Sequence, residues 1–252
     1  MGVTLRELVK AADQWLMPKP IQDYCPNGLQ VEGRETVRKL VTGVTASQAL
    51  LDAAIAAGAD AILVHHGYFW KNEPAPVVGL KKKRLQTLLK HDVSLLAYHL
   101  PLDLHDELGN NVRLGQQLGF TLKQPATGLE TGLLRVGELA QPMTAQELSA
   151  HIGRSLGRMP QHIDGGPQRI QTIAWCTGAA QGYIDQALAL GVDAYLSGEI
   201  SEPTVHTARE GGIHYFAAGH HATERYGVQA LGQRLAETFG LEHQFIDIDN
   251  PV

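Results

Sequence analysis

The sequence has few cysteines, no long apolar run and no excess of positive charge, and each shortage excludes a class of protein. Its two cysteines, Cys25 and Cys176, lack Cys-x-x-Cys spacing, which excludes a disulfide framework. No run approaches the roughly 18 apolar residues of a membrane span. No Walker loop or Gly-x-Gly-x-x-Gly follows a predicted strand, so an ATPase or a dinucleotide-binding protein is not supported. We expect a cytoplasmic protein that spans no membrane.

The overall composition is that of an ordinary globular protein. Of the 252 residues, 44% are apolar and 19% are charged, which argues against disorder. The formal net charge of −5 gives no strong signal for nucleic-acid binding. The one unusual feature is the 12 histidines, and their positions matter more than their number.

Part of the chain is repeated, and the repeat predicts the architecture. Residues Gln48–Leu63 and Gln181–Leu196 are identical at eight of 16 positions. The pattern Leu-Gly-Gln-x-Leu also occurs twice, at Leu114–Leu118 and Leu231–Leu235. Such self-similarity indicates duplicated structural units. We predict an α/β fold of two related βα-repeat halves, with mostly parallel sheets that face each other across a metal site.

Local patterns support alternating strands and helices. Lys39–Val44 and Ala61–Val64 are short apolar runs, typical of strands buried on both faces of a parallel sheet. Between the halves the repeat is interrupted, although Thr144 and Glu147 form a capping box that predicts a helix to about Leu156. The predicted boundaries are a first half at 1–120, a connecting insert at 121–171 and a second half at 172–252.

Histidine and carboxylate side chains, which commonly bind metals, follow the predicted strands of both halves. His65 and His66 follow one strand, Asp103 another, and His220 with Glu224 a third. Because ligands bind at the carboxyl ends of parallel strands, we expect these five to lie at the same edge of their sheets. Adjacent residues of an extended chain point in opposite directions, so the histidine pair is better placed to serve two ions than one. The set suits two divalent ions, zinc, iron, manganese or nickel, with positions open for water.

Several of these residues have a second interpretation. His99 occupies the repeat position of His220, and it is either a further ligand or a residue that orients Asp103. Pro101, which turns the chain before Asp103, favours the orienting role. Glu224 has the alternative task of stabilising the N-terminus of a helix. Six histidines without matched partners are treated as background: His91, His151, His162, His206, His214 and His243.

Four motifs resemble those of the Nif-three-like family, whose members are often labelled GTP cyclohydrolase I type 2 homologs. They are Asp23–Gly33, Val64–Gly67, His99–Asp103 and Gly219–Glu224. The chain resembles the bacterial YbgI type, and the resemblance covers essentially its full length. The resemblance implies a dinuclear metal centre whose ligands match His65, His66, Asp103, His220 and Glu224, with Glu224 shared between the ions. It also implies a ring-like homohexamer.

The site and the resemblance together predict a metal-dependent hydrolase acting on a nucleotide or a related small molecule. The family label points to opening of a purine ring, and His99 is positioned to relay a proton. The alternative is a metal-binding oligomeric scaffold, or a protein that stores or delivers ions, without turnover. Hydrolysis that follows metal content distinguishes the first from the second.

Overall fold

The computed structural model describes residues 2–17, 21–123 and 132–252. They form an α/β fold with parallel strands, as predicted. The strands described are β1 Val3–Thr4, β2 Gly28–Val31, β3 Thr36–Val37, β4 Lys39–Thr45, β5 Ala61–His66, β6 Ser94–Ala97, β7 Thr121–Leu122, β8 Arg135–Met143, β9 Gln161–Ile163, β10 Ile170–Cys176, β11 Ala194–Ser197, β12 His214–Ala217 and β13 Glu242–Phe245.

The helices lie mostly between the strands, as expected of βα units. Those in the described residues are α1 Leu5–Leu16, α2 Gln48–Ala56, α3 Gly79–His91, α4 Leu100–Leu104, α5 Asn110–Gln117, α6 Ala145–Leu156, α7 Ile184–Ala189, α8 Glu202–Gly211, α9 His220–Thr223 and α10 Arg225–Phe239, with a 3-10 turn at Gln181–Tyr183. The capping box predicted at Thr144 and Glu147 is confirmed at the start of α6. No helix among the described residues has the length and hydropathy needed to cross a membrane.

The first compact unit comprises Met1–Leu108 and Gly227–Asp249. Its main sheet has the order β13-β4-β5-β6-β2, in which only β2 is antiparallel to its neighbour. Alternate strand residues face opposite sides: Leu63 packs in one core with helices α1 and α10, whereas Ile62 packs in another with α2 and α3. Both faces are therefore covered, which explains the continuous apolar strands.

The second compact unit comprises Gly109–Tyr226 and Asn250–Val252. Its sheet has the order β7-β8-β10-β11-β12-β9, with a parallel centre of β10, β11 and β12. Trp175 packs with α5 and α6 on one face, and Tyr195 packs with α7 and α8 on the other. The repeated segment Gln48–Leu63 runs from α2 into β5, and its match Gln181–Leu196 runs through α7 into β11.

The boundaries of the two compact units differ from the predicted boundaries, which were 1–120, 121–171 and 172–252. Helix α5 follows β6, yet its Leu114 belongs to the core of the second unit, while Leu231 of α10 belongs to the core of the first. The segment predicted as an insert, whose residues 124–131 lie outside those described, supplies β7, β8 and β9 to the second sheet. Core packing, which sequence order does not reveal, sets the division.

Two aspartates of the repeat, Asp60 and Asp193, have the same structural task. Asp60 Oδ2 accepts the backbone N–H groups of Arg38 and Lys39 at 2.8 and 3.0 Å. Asp193 Oδ2 accepts those of Gln171 and Thr172 at 2.9 and 2.8 Å. Each carboxylate therefore fixes the start of the preceding parallel strand. The identity of Asp60 and Asp193 in the repeat is therefore explained by their role in anchoring strands, and it does not indicate catalysis.

The substitution Asp193→Asn should lower the free energy of unfolding by about 1 kcal/mol at pH 7, because charge-assisted hydrogen bonds exceed neutral ones by roughly that amount. Burial raises the pKa of Asp193, but the N–H groups of Thr172 and Gln171 hold this pKa below its ordinary value. The stabilisation is therefore present above the unfolded-state pKa of 3.8 and is lost as the pH falls below it. Urea unfolding between pH 7 and pH 3 measures whether the free energies of unfolding of the wild type and Asp193→Asn approach each other as the pH falls. A difference in free energy that stays constant with pH would contradict the prediction. Glu210→Gln, an exposed change on α8, is the control.

Candidate metal centre

The first unit brings four of the predicted residues together, and we call them the first ligand cluster: His65, His66, His99 and Asp103. His65 and His66 are the last two residues of β5, not residues beyond its end. His99 precedes α4, and Asp103 lies on that helix. His65 and Asp103 are buried, with 0% and 6% of their surfaces exposed. The parallel order of β5 and β6 therefore places these side chains at one sheet edge, as predicted.

The histidines of the first ligand cluster converge. The ring centroids of His65 and His66 are 4.6 Å apart, and that of His99 is 5.1 Å from His65. One nitrogen from each of the three rings lies within 4.8 Å of the others, and His65 Nε2 is 3.5 Å from Asp103 Oδ1. The prediction that His65 and His66 point in opposite directions is therefore wrong. The strand ends at His66, so the pleat that governs the strand interior does not set the direction of its ring.

Hydrogen bonds at Nδ1 orient the two imidazoles of β5. His65 Nδ1–H donates to the carbonyl oxygen of Tyr98 at 2.9 Å, which leaves the lone pair of the neutral ring on Nε2. His66 Nδ1 is 3.2 Å from the hydroxyl of Thr45. Bonds of this kind fix the tautomer and the ring orientation of metal-binding histidines. The carbonyl acceptor therefore leaves Nε2 of His65 to bind an ion, and the Thr45 hydroxyl holds the ring of His66.

Asp23 holds His99 through a partly buried hydrogen-bond network. Its Oδ1 accepts His99 Nδ1–H at 2.7 Å, and its Oδ2 accepts Asn27 Nδ2 at 2.8 Å and the N–H of Leu100 at 3.0 Å. Burial raises the pKa of Asp23, but the hydrogen bonds from His99 and Asn27 outweigh it and bring this pKa to about 2. A carboxylate that orients an imidazole in this way is a common arrangement for proton transfer.

Cys25 lies beside this network, and its sulfur is within 4.8 Å of ligand atoms of Asp23 and His99. Burial and the negative charge of Asp23 raise the pKa of its thiol to about 12. The thiolate is the form that reacts and binds metal, and the raised pKa disfavours this form at neutral pH. This agrees with its interpretation from the sequence as a packing residue.

An aromatic side chain, Trp70, borders the first ligand cluster. Its ring lies 5.0 Å from that of His99 and nearly perpendicular to it. The preceding residue, Phe69, has a φ of 65°, an unfavourable value for a non-glycine residue. The carboxylate of Glu73 accepts the N–H groups of Phe69 and Trp70 at 2.6 and 3.1 Å, which stabilises this turn. Strain of this kind is concentrated at functional sites.

The second unit carries the second ligand cluster, which consists of His220, Glu224 and Glu199. His220 opens α9 after β12, and Glu224 follows four residues later, where its oxygen lies 3.0 Å from His220 Nε2. His220 Nδ1–H donates to the carboxylate of Glu199 at 2.7 Å. Burial lowers the pKa of His220, but the carboxylates of Glu224 and Glu199 outweigh it and raise this pKa to about 9.

Gly178 provides the space that the carboxylate of Glu224 occupies. A Cβ atom at this position would lie 2.1 Å from Glu224 Oε1 and 3.2 Å from His220 Nε2, and the φ of Gly178 is 70°. Its carbonyl accepts the N–H groups of Gly198 and Glu199 at 2.9 and 3.2 Å. No larger residue satisfies these requirements. The loop after β10 is therefore shaped to seat the second ligand cluster.

Sequence reasoning identified the candidate ligands but missed the residues that position them. Glu199 stands at the repeat position of His66, and this correspondence could have revealed it. Asp23 belongs to a motif already noted from the resemblance, although its contact with His99 joins distant parts of the chain. Tyr98 acts through a backbone carbonyl, so nothing in its residue type signals the role.

The residues present fit a borderline divalent ion. Imidazole nitrogens and carboxylate oxygens in both ligand clusters form the mixed donor set that such ions prefer. Fold and side chains thus define a class: α/β proteins with candidate metal-ligand clusters at the ends of parallel strands.

Within that class, the chain belongs to the Duf34/NIF3 family (NGG1p interacting factor 3), whose sequence profile matches residues 3–251. It is 62% identical over 252 residues to the GTP cyclohydrolase 1 type 2 homolog of Pseudomonas aeruginosa, covering 100% of both chains. It is 54% identical over 248 residues to the protein of that name from Vibrio cholerae, covering 98% of each. The resemblance noted in the sequence is therefore confirmed.

Solved structures agree with this assignment. The protein ybgI, described as of unknown function, shares 52% sequence identity with a TM-score of 0.95, covering 99% of this chain and 100% of that one. A protein of Thermus thermophilus shares 34% identity with a TM-score of 0.90 and the same coverage. The fold is thus that of the family throughout.

Proposed function

We propose that this protein is a metal-dependent hydrolase with two divalent ions per chain, held by His65, His66, Asp103, His220 and Glu224. The observation that carries the proposal is the orientation of its imidazoles. His65 and His220 each donate from Nδ1 to an oxygen acceptor, which leaves Nε2 of each ring to bind an ion. The family resemblance adds that Glu224 serves both ions.

The side chains have distinct tasks in this proposal. When bound, the ions supply a Lewis acid and an activated water at neutral pH. His99 accepts a proton at Nε2 and passes it on, while Asp23 stabilises the positive charge that forms on the ring. Glu199 fixes the ring of His220 in the binding orientation. Burial of Asp103 and Glu224, at 6% and 3% exposure, keeps bulk water from competing for the ions.

The substrate we propose is a nucleotide or a related small molecule. Trp70, partly exposed beside His99, offers an aromatic surface on which a planar base can stack. The names of the relatives link them to a GTP cyclohydrolase by homology, in agreement with attack on a purine ring. A centre of this composition serves phosphoester hydrolysis equally well.

The experiment that tests this function is a screen of metal-loaded protein against nucleotides and phosphoesters. The proposal predicts turnover of at least one compound, at a rate that rises with metal content.

Trp70→Ala should raise the KM for nucleotides more than that for a simple phosphoester. No turnover at any metal loading would instead favour the metal-binding scaffold, or a storage or delivery protein.

Replacement of His99 by alanine distinguishes a proton-transfer residue from a metal ligand. If His99 transfers protons, kcat should fall about 100-fold, the usual size of this effect, while the metal content stays unchanged. The pH–rate profile should also lose one limb, which a purely structural change would leave in place. Loss of an ion from His99→Ala would instead make the residue a ligand.

The assembly and the cellular location complete the proposal. The resemblance implies a homohexamer, so light scattering should give six times the 27.3 kDa mass of the chain. A monomer or a dimer would contradict this.

The buried cysteines Cys25 and Cys176 suit a reducing compartment, in agreement with the cytoplasm.

A further inference from the structure

A separate group of potential metal ligands lies in the second unit, and we call it the His162 cluster: His162, Asp164 and His214. Nothing in the sequence pattern associates them. His162 Nε2 is 3.1 Å from His214 Nδ1, which lies 3.3 Å from Asp164 Oδ1. One ligand atom from each residue lies within 4.8 Å of the other two.

The tautomer of His214 is fixed so that Nδ1 faces the cluster. His214 Nε2–H donates to the carbonyl oxygen of Pro167 at 2.9 Å. A carbonyl only accepts, so the neutral ring carries its lone pair on Nδ1. This is the orientation that a second hydrogen bond imposes on metal-binding histidines. His214 is 3% exposed, so the ring is held firmly in place.

The strand pairing also positions His162. Strands β9 and β12 are antiparallel, and His162 is directly opposite Phe216, two residues from His214. The His162 and Phe216 rings stack at 4.8 Å with an interplanar angle of 21°. Residues diagonal to each other across such a pair project from the same face of the sheet. The two imidazoles are thus placed by the sheet and not by a loop alone.

The turn after β9 is shaped to reach His214. A Cβ atom on Gly166 would lie 2.5 Å from His214 Cδ2, so only glycine lets the turn lie against the ring. Asp164 in this segment has a side chain that is 84% exposed, which gives an ion access from solvent. Three protein ligands with an open side leave room for a water molecule as the fourth.

The spacing matches that of ligands around one ion. Nitrogen and oxygen ligands about 2.0–2.1 Å from zinc in a tetrahedron are separated by roughly 3.3–3.4 Å. The separations of 3.1 and 3.3 Å are close to this value. A hydrogen bond between the two rings explains the first distance but gives no role to Asp164.

The His162 cluster is distinct from the second ligand cluster. His214 is the first residue of β12, whereas His220 follows the end of that strand. The four residues of β12 extend over about 13 Å. The two groups therefore lie at opposite ends of strand β12.

We propose that His162, Asp164 and His214 form an additional binding site for a divalent cation of the zinc class. The ion ties the 164–167 turn to β12. It is bound independently of His65, His66, Asp103, His220 and Glu224, so the site survives their replacement.

Zinc binding to the chelator-treated full-length protein tests this proposal. Equilibrium dialysis should show one zinc ion fewer per chain in His162→Gln than in the wild type. Asp164→Asn, an exposed and isosteric change, should lower the affinity for that one zinc ion by about 10–100-fold or more. Even the loss of a residue that only hydrogen-bonds to a metal ligand has an effect of this size. His206→Gln, whose side chain is 63% exposed and paired with Glu202, is the matched control and should bind as the wild type does.

The same comparison in a Glu224→Ala background separates this site from the proposed hydrolytic centre. The deficit of one ion caused by His162→Gln should remain in that background. Zinc should also raise the melting temperature of Glu224→Ala but not that of the protein carrying both changes. Equal zinc counts and affinities in the wild type, His162→Gln and Asp164→Asn would overturn the proposal.

Discussion

Gly178→Ala should weaken metal binding by about 100-fold or more, although Gly178 contributes no ligand atom. Its added Cβ would overlap Glu224 Oε1, which lies 2.1 Å from that position. The carboxylate must move, and with it the orientation of His220 beside it. Loss of even an indirect contact to a metal ligand costs 10–100-fold in affinity. Competition with a chromogenic chelator measures the change.

Gly191→Ala is the matched control for this prediction. Gly191 has a φ of 66°, close to the 70° of Gly178, but a Cβ there meets nothing within 4 Å. Both substitutions carry the backbone cost of alanine in this conformation, about 1–2 kcal/mol. Only Gly178→Ala disturbs the second ligand cluster. Equal metal affinity in the two variants would mean that Glu224 is not needed for binding.

Removal of metal should abolish hydrolysis, with a loss of about 1,000-fold or more. A Lewis acid contributes several kcal/mol, and each 1.36 kcal/mol is a factor of ten in rate. Reloading with zinc, iron or manganese should restore the rate in proportion to the metal content. The measurement is turnover of whichever compound the screen identifies, against ions per chain.

Glu224→Gln distinguishes a catalytic requirement for metal from general stabilisation by it. Glutamine has nearly the shape of glutamate but lacks the charge, so the fold should persist while reloading fails to restore activity. Near-ultraviolet circular dichroism verifies the fold. Full activity in a metal-free preparation, or in Glu224→Gln, would rule out this mechanism.

The fold was predictable from the sequence because its signals are local. Apolar runs such as Ala61–Val64 and the repeated helix before them are sufficient to predict buried parallel strands. The assignment of helices to cores was not predictable. Leu114 and Leu231 occupy equivalent positions in the repeat, but each packs in the unit that does not contain its preceding strand. Packing partners of this kind depend on tertiary contacts.

The candidate ligands were predictable for a similar reason, since residue type and strand position suggest metal binding. Their supporting contacts were not. Tyr98 orients His65 through a backbone oxygen, which any residue possesses. His162 and His214 were treated as background because they have no matched partners in the sequence. They are 52 residues apart in the chain, and only the pairing of β9 with β12 brings them together.

The most direct test of the proposed metal centre is the number of ions per chain in the wild type and in Glu224→Ala, by elemental analysis after mild purification. We predict at least two ions per wild-type chain and a loss of about two in Glu224→Ala, whatever the occupancy of the His162 cluster. Equal metal content in the two proteins would contradict this account. So would a wild-type chain that holds no metal and takes up no added zinc, iron or manganese, since the fold would then carry no dinuclear site.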